Sequence, residues 1–168
     1  MDSAPGLVVL TDASVLINFL HLNRLDLLGK LPGYEFQVPD HVVEEIRDPV
    51  LRERMEEGLR SGVLSVLSIT DLVEIESYAR FHRTLGQGEA ACLAVALRRG
   101  CRVASDDRGA FRRAATEGIG KERILTTPDL IVLTIRAGIA SVEMADGWKV
   151  TLEENRFRMR FASFREIL

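Results

Sequence analysis

Short apolar strands alternate with amphipathic helices along nearly the whole chain. The run Leu7–Thr11 is continuous and β-branched, which is typical of a strand buried on both faces of a parallel sheet. Further short strands are predicted at residues 35–38, 63–69, 102–105 and 124–125. In the intervals between them, apolar residues recur at helical spacing. This alternation predicts an α/β fold, specifically a three-layer α/β/α sandwich with a central, mainly parallel sheet.

Acidic residues and glycines mark the ends of the predicted helices. Asp40 is expected to cap one helix, and Gly100 is expected to end the alanine-rich helix 89–99. The charged stretch 50–61 is predicted to form a surface helix, and residues 71–85 an amphipathic one. The helices therefore fill the connections that a parallel sheet requires.

One hydrophobic core suffices for a chain of this size. The sequence has 168 residues, of which 46% are hydrophobic, so a single domain is the default. We place this domain at residues 1–140. Residues 141–168 form a C-terminal extension, which is expected to pack on the domain or on the second subunit of a homodimer.

The charge balance limits how the chain can bind polyanions. Charged residues make up 28% of the sequence, and the formal net charge is −3. A generally basic nucleic-acid binder would carry a broad excess of Lys and Arg. Any nucleic acid must therefore be held by local groups of cations.

Cysteine usage and the first residues indicate where the protein works. Cys92 and Cys101 match neither a CxxC redox pair nor a zinc-site spacing, so we expect buried free thiols in a reducing cytosol. The first residues lack the basic region of a signal peptide. No stretch approaches the roughly 18–20 apolar residues of a membrane helix. These features predict a cytoplasmic protein with no membrane partner.

Acidic residues follow the carboxyl ends of several predicted strands. Asp12 closes the first strand, Glu45 lies in the helix after the second, and Asp106 and Asp107 follow the strand 102–105. Glu89, in the first turn of its helix, can face the same edge. Open α/β sheets bind their ligands at this edge. Carboxylates gathered there would repel one another, and a divalent cation such as Mg²⁺ or Mn²⁺ resolves that repulsion with oxygen ligands alone.

A purely structural role also accounts for each acid taken singly. A carboxylate at the start of a helix caps free N–H groups and places a favourable negative charge at the helix N-terminus. The three histidines, His21, His41 and His82, have no metal-binding spacing and add nothing to the site. The prediction of a metal site therefore depends on the carboxylates as a group and not on any one of them.

Four short motifs, taken in order, resemble those of the PIN-domain family of metal-dependent nucleases. Each motif is weak alone, but four in this order, at their expected strand and helix junctions, form a specific signal. The stretches 50–61 and 142–168 match no pattern of the family. The motifs are Asp12-Ala13-Ser14-Val15-Leu16-Ile17-Asn18, Val38-Pro39 through Val43-Glu44-Glu45-Ile46, Gly88-Glu89-Ala90-Ala91-Cys92-Leu93-Ala94-Val95-Ala96 and Val103-Ala104-Ser105-Asp106-Asp107-Arg108.

The resemblance implies a role for each matched residue and a reaction. Catalytic, metal-binding acids are expected at Asp12, Glu45, Glu89 and Asp107. Auxiliary groups around them are expected at Ser14, Asn18, Ser105 and Asp106. The implied activity is hydrolysis of phosphodiester bonds with Mg²⁺ or Mn²⁺, and the expected substrate is single-stranded RNA. Small prokaryotic members include the toxins of toxin–antitoxin pairs. The expected partners are therefore RNA and an antitoxin protein.

Two basic regions are candidates for holding the nucleic acid. Arg108 and Arg112 share a helix face at i, i+4 spacing. The tail 156–164 interleaves arginines with aromatic residues, as single-strand binders do. Its apolar residues fit either a helical stripe or strand alternation, so packing on the domain or a dimer partner competes with RNA contact.

Three rival functions compete with a nuclease. The segment Gly86–Ala91 has the glycine spacing of a dinucleotide site, but it follows a helix instead of a strand and places Glu89 against the pyrophosphate, so a nucleotide cofactor is rejected. Phosphotransfer through Asp12 as nucleophile is disfavoured because Ser14 stands where aspartyl phosphatases commonly have a second Asp. A non-catalytic PIN-like binding module is the third alternative.

Overall fold

A parallel five-stranded sheet forms the centre of the fold. The structure, a computed structural model, describes residues 6–168, apart from the side chains of residues 110, 111 and 115. The strands are β1 Leu7–Thr11, β2 Tyr34–Pro39, β3 Ser65–Leu67, β4 Arg102–Ala104 and β5 Ile124–Leu125. They are ordered β3-β2-β1-β4-β5, and every pair is parallel. The predicted α/β class with a parallel sheet between helices is confirmed.

Helices connect all of these strands. The α-helices are α1 Ala13–His21, α2 Asp26–Lys30, α3 Asp40–Glu45, α4 Pro49–Arg60, α5 Leu72–Phe81, α6 Gln87–Arg99, α7 Arg108–Thr116, α8 Thr127–Arg136 and α9 Val142–Glu154. Short 3₁₀ helices cover Lys121–Arg123 and Phe164–Glu166. None of the helices within residues 6–168 is long and apolar enough to cross a bilayer.

The strand order creates a switch point beside β1. The chain proceeds outward from β1 to β2 and β3, then returns to place β4 on the other side of β1. The carboxyl ends of β1 and β4 are joined directly, because the Asp12 backbone N–H donates to the Ala104 carbonyl at 2.9 Å. Open α/β sheets bind ligands at such a point, where the connections diverge and leave a crevice.

Three local predictions were wrong in their details. The strand expected at 63–69 is reduced to β3, because it pairs only with the last residues of β2, and Pro39 there cannot donate a ladder hydrogen bond. Asp40 is the first residue of α3 instead of its cap, and its carboxylate accepts from the next backbone N–H, that of His41. The amphipathic helix predicted to Leu85 ends at Phe81.

Helix α6 packs closely on the sheet because its residues are small. Its residues from Ala90 to Ala96 are all buried, and the helix contacts β1, β2 and β4. Helix α5 covers the outer side of α6, and a bidentate ion pair ties the two together. In this pair Arg99 donates to the two oxygens of Glu74 at 2.6 and 2.9 Å. Glu74 is only 1% exposed, so the Arg99 guanidinium compensates a carboxylate that water does not reach.

The C-terminal extension packs on the domain. Helix α9 contacts α1 and α8, and the Trp148 ring lies 5.2 Å from the Arg24 guanidinium. Phe164 is fully buried. Asp146 accepts hydrogen bonds from the Ser163 hydroxyl at 2.7 Å and the Phe164 backbone N–H at 2.8 Å. Both bonds lower the pKa of Asp146, so it is the charged carboxylate that holds the tail in place.

Candidate functional site

Asp12 lies at the switch point, immediately after β1. Its side chain is 4% exposed and caps α1, since one oxygen accepts from the Ala13 backbone N–H at 2.8 Å. The other oxygen accepts from the hydroxyls of Ser14 and Ser105, each at 3.0 Å. Burial raises the pKa of Asp12, the three hydrogen bonds lower it in part, and the charge of Asp107 raises it further.

Glu89 and Asp107 come together from α6 and the end of β4. Burial raises the pKa of Glu89 to about 7, and a side-chain hydrogen bond with Asp107 and the charges of Asp12 and Asp107 add to the rise. A hydrogen bond between two carboxyl groups requires that one of them be protonated. The Asp107 carboxylate is exposed and also accepts from the Gly109 backbone N–H at 2.5 Å. These three acids from distant parts of the chain therefore share one electrostatic environment.

Glu45 approaches the same helix start from α3. Its side chain is exposed, and one carboxylate oxygen accepts from the Gly88 backbone N–H at 2.7 Å. Gly88 has no room for a side chain, because a Cβ there would lie 2.7 Å from a Val42 methyl and 2.8 Å from the Glu45 oxygen. Glycine at this position thus permits Glu45 to reach α6 one residue before Glu89.

A buried thiol in α6 lies within the electrostatic influence of the acids. Cys92 is fully buried one turn along α6 from Glu89. Burial raises the pKa of its thiol well above the usual value, and the charges of Asp12, Glu45 and Glu89 add to the rise. The three acids thus all lie within electrostatic reach of one buried sulfur. The predicted burial applies fully to Cys92, whereas Cys101 is half-buried, and both thiols are free.

Asp106 is bound into a hydrogen-bond network that Ser14 links to Asp12. Its carboxylate accepts from the Thr127 backbone N–H at 2.8 Å, the Thr127 hydroxyl at 2.6 Å and the Asn18 amide at 3.0 Å. Its backbone N–H donates to the Ser14 hydroxyl at 3.0 Å. Burial raises the pKa of Asp106, while these side-chain partners lower it. Asp106 therefore fixes the loop after β4 against α1 and α8, and the adjacent Asp107 faces Glu89.

The donor set fits a hard divalent cation. It consists of carboxylate oxygens alone, as Mg²⁺ and Mn²⁺ prefer. Within the described residues, no three His, Cys, Asp or Glu side chains already stand in a metal-binding geometry. Glu89, whose pKa is raised to about 7, holds its proton more tightly than an ordinary carboxyl group does, and Asp107 contributes to that rise. A cation between them would replace that proton, because metal ligands bind in their deprotonated form.

Cations line the side of the cluster formed by α7. A groove of about 290 Å³ is lined by Leu85, Gly109, Arg112, Arg113 and Thr116. It begins beside Asp107, whose carboxylate binds Gly109. Arg112 and the predicted Arg108 are exposed, whereas Arg113 is fixed by a 2.6 Å hydrogen bond to the Thr84 hydroxyl. Arg112 and Arg113 therefore line a groove that begins beside Asp107.

Sequence reasoning missed three participants in this site. The sequence indicates no role for Thr127, no connection of Cys92 with the acids, and no bond between Thr84 and Arg113. The proline after Thr127 indicates a helix N-terminus in the sequence. No sequence signal indicates that this N-terminus lies beside Asp106.

Comparisons with known proteins give the family. Among solved structures, a PilT N-terminus domain protein from the hyperthermophilic archaeon Sulfolobus solfataricus P2 resembles the chain with a TM-score of 0.45 and 13% sequence identity, covering 75% of this chain and 92% of that one. No curated protein matches the chain. The family model DUF3368, described as a PIN domain, matches residues 8–146. This match spans most of the chain, from β1 into α9, and includes all four acidic motifs. The chain therefore belongs to the PIN-domain family.

Proposed function

We propose that the protein is a divalent-metal-dependent nuclease that hydrolyses phosphodiester bonds in single-stranded RNA, with Mg²⁺ or Mn²⁺ as its ion. Membership of the PIN-domain family, whose members are generally nucleases, supports the reaction class. The observation that carries the proposal is the convergence of Asp12, Glu89 and Asp107. The Ser105 hydroxyl joins the Asp12 carboxylate to the Asp107 backbone N–H, and the charges of Asp12 and Asp107 raise the pKa of Glu89. Carboxylates placed this close are costly for folding unless a ligand makes use of them.

Asp12, Glu45, Glu89 and Asp107 would hold the ion. Asp12 is preorganised for this task, since Ser14, Ser105 and the start of α1 fix its orientation. When bound, the ion would supply an activated water and charge neutralisation at the scissile phosphate. The chain itself would orient the RNA, through Arg108 and Arg112, so that a phosphate lies over the acids.

The first test measures RNA cleavage by the wild type and by three variants. Purified protein should cleave a single-stranded RNA only when Mg²⁺ or Mn²⁺ is present, and chelation should stop cleavage. Asp12→Asn should abolish cleavage while the circular dichroism spectrum is retained, since the amide keeps the shape of the side chain. Glu45→Gln should lower activity, whereas Glu44→Gln, its exposed neighbour in α3, should not. Cleavage by Asp12→Asn at the normal rate would reject the site.

The same assays separate the rival functions. Hydrolysis of a phosphomonoester without nuclease activity would favour phosphotransfer through Asp12. RNA binding without any turnover would favour a binding module. Preferential cleavage of single-stranded DNA would replace the proposed substrate and leave the reaction class intact.

The partner predictions have their own tests. As a toxin ribonuclease, the protein should arrest growth when it is expressed, and Asp12→Asn should not. An antitoxin encoded beside it should restore growth and co-purify with it. A homodimer should appear in sedimentation equilibrium as twice the chain mass of 18.7 kDa.

A further inference from the structure

The tail after α9 presents a row of arginines to solvent. From Arg156 to Ala162, exposed and half-buried residues alternate strictly. Arg156, Arg158 and Arg160 are the exposed cations in this series. The residues between them, Phe157, Met159 and Phe161, turn inward and pack against the core. Although the segment alternates like a strand, it pairs with no strand among the described residues. Packing of the apolar residues therefore places the three arginines together on the solvent side of the segment.

This arginine row is held rigidly at both ends. At its start, the Phe157 backbone N–H donates to the Leu152 carbonyl at 2.9 Å. At its end, Phe164 is fully buried, and Asp146 binds Ser163 and Phe164. A row of cations on a fixed backbone loses less conformational entropy on binding than one on a disordered tail.

The guanidinium groups of the row have no partner in the described part of the chain. The side chains of Arg156, Arg158 and Arg160 make no hydrogen bond or ion pair within residues 6–168. Of the nearby acids, Glu153 pairs with Lys149, and Glu143 with Arg165. Glu166 accepts from the Ala162 backbone N–H at 3.2 Å, and Glu154 is exposed; neither forms an ion pair with the row in the described part of the chain. Residues 155–163 contain no acid at all. In a chain whose net charge is −3, this is a local excess of unneutralised positive charge.

The end of the tail lies at the edge of the sheet opposite the acids. Ile167 lines a groove of about 560 Å³ together with Tyr34, Arg102 and Ile124, which are the first residues of β2, β4 and β5. The tail therefore reaches the amino edge of the sheet, whereas Asp12 and Asp107 stand at the carboxyl edge.

We propose that Arg156, Arg158 and Arg160 bind the phosphate backbone of single-stranded RNA outside the acid cluster, as an accessory site for long substrates. Guanidinium groups bind phosphate through paired hydrogen bonds, and a periodic row of cations suits a periodic polyanion. An acidic protein partner fits less well, because protein interfaces depend on buried aromatic and aliphatic anchors, and here the aromatic residues are turned into the core. Because the aromatic residues face the core, the site would recognise the charge of the RNA backbone and not the identity of its bases. The choice of RNA rests on the proposed function.

Binding measured without divalent cation tests the site apart from catalysis. On single strands, each phosphate contact contributes about 0.7 to the slope of log affinity against log salt. The triple variant Arg156→Gln/Arg158→Gln/Arg160→Gln should therefore reduce the slope by about 2 for a long oligoribonucleotide of mixed sequence. Its affinity should fall on the order of a hundredfold at about 0.1 M salt. Fluorescence anisotropy in EDTA gives both quantities.

A matched control removes the same charge from other sites. Lys30, Arg60 and Arg165 are exposed and already paired with acids, so changing all three to glutamine should leave the salt slope nearly unchanged. An equal loss in both triple variants would overturn the site, because net charge alone would then explain binding. Unchanged RNA affinity in the first triple variant would overturn it too, as would polyglutamate competing as well as RNA at equal charge.

Kinetics distinguish failure of this site from failure of the proposed function. The arginine triple variant should raise KM for long RNA and leave kcat unchanged, and it should cleave a tetranucleotide normally. Loss of kcat on the tetranucleotide would place the arginines in the catalytic machinery and overturn the accessory role. If neither wild type nor variant cleaves RNA, the nuclease proposal fails, while the salt slopes still decide whether the arginine row binds it.

Discussion

Replacing Glu89 by glutamine should stabilise the metal-free protein at high pH. The pKa of Glu89 is raised to about 7 from its ordinary value of 4.5. The folded state therefore binds this proton more tightly than the unfolded state does. As pH rises from about 4.5 to about 7, the unfolded state ionises first, so stability falls across this window and stays lowered above it. Glutamine carries no charge and removes the penalty.

The magnitude follows from the raised pKa of Glu89. The rise from 4.5 to about 7 corresponds to roughly 3 kcal/mol at full effect. Because Glu89 is only partly buried, solvent screening reduces this, and we expect about 1.5 kcal/mol. For a chain of this length, that raises Tm by roughly 3–6 °C. Mg²⁺ should stabilise the wild type at about pH 8 through binding to the native state, and the glutamine variant much less.

Thermal and urea unfolding in EDTA, at about pH 4.5 and about pH 8, check this prediction. Glu89→Gln should exceed the wild type at the higher pH and match it at the lower one. Glu44→Gln serves as the control, since Glu44 is exposed on neighbouring α3 and should change stability at neither pH. Equal stabilisation by Glu89→Gln at both pH values would refute the electrostatic reasoning, and so would its absence at about pH 8.

Three further substitutions probe the structure. Gly88→Ala should lower metal affinity, measured by Mn²⁺ titration, because the added Cβ meets the Glu45 carboxylate, while Gly147→Ala, where a Cβ meets nothing within 4 Å, should not. Arg99→Ala should cost about 3–5 kcal/mol in urea unfolding, since the buried charge of Glu74 loses its partner. Phe164→Ala should cost about 3–5 kcal/mol in the same assay, and a loss near zero would mean that the tail folds separately.

The placement of the acids was predictable because it follows from the direction of the strands. Asp12 and Asp107 each follow a strand, and parallel strands bring their carboxyl ends to one edge. Glu89 was predictable from its position in the first turn of a strong helix. Glu45 was harder, because its approach to Gly88 depends on the missing side chain of that glycine.

The role of Asp106 could not be predicted from local patterns. It depends on β5 pairing with β4, which brings the start of α8 and Thr127 beside the loop after β4. The tail shows a different limit. Its alternation of Arg and apolar residues fitted two kinds of regular structure, and the chain adopts neither one. The sequence pattern there reports which residues meet the core, and not how the backbone is hydrogen-bonded.

The thiol of Cys92 makes the state of the acid cluster chemically readable. Native protein should resist alkylation at this sulfur, because the thiolate is the reactive form and burial, which raises the pKa of Cys92, keeps the thiol protonated. Labelling then requires α6 to separate from the sheet, and the same separation scatters Asp12 and Glu89. The alkylation rate of Cys92 therefore measures how often the assembled acids come apart, and no cleavage assay is needed.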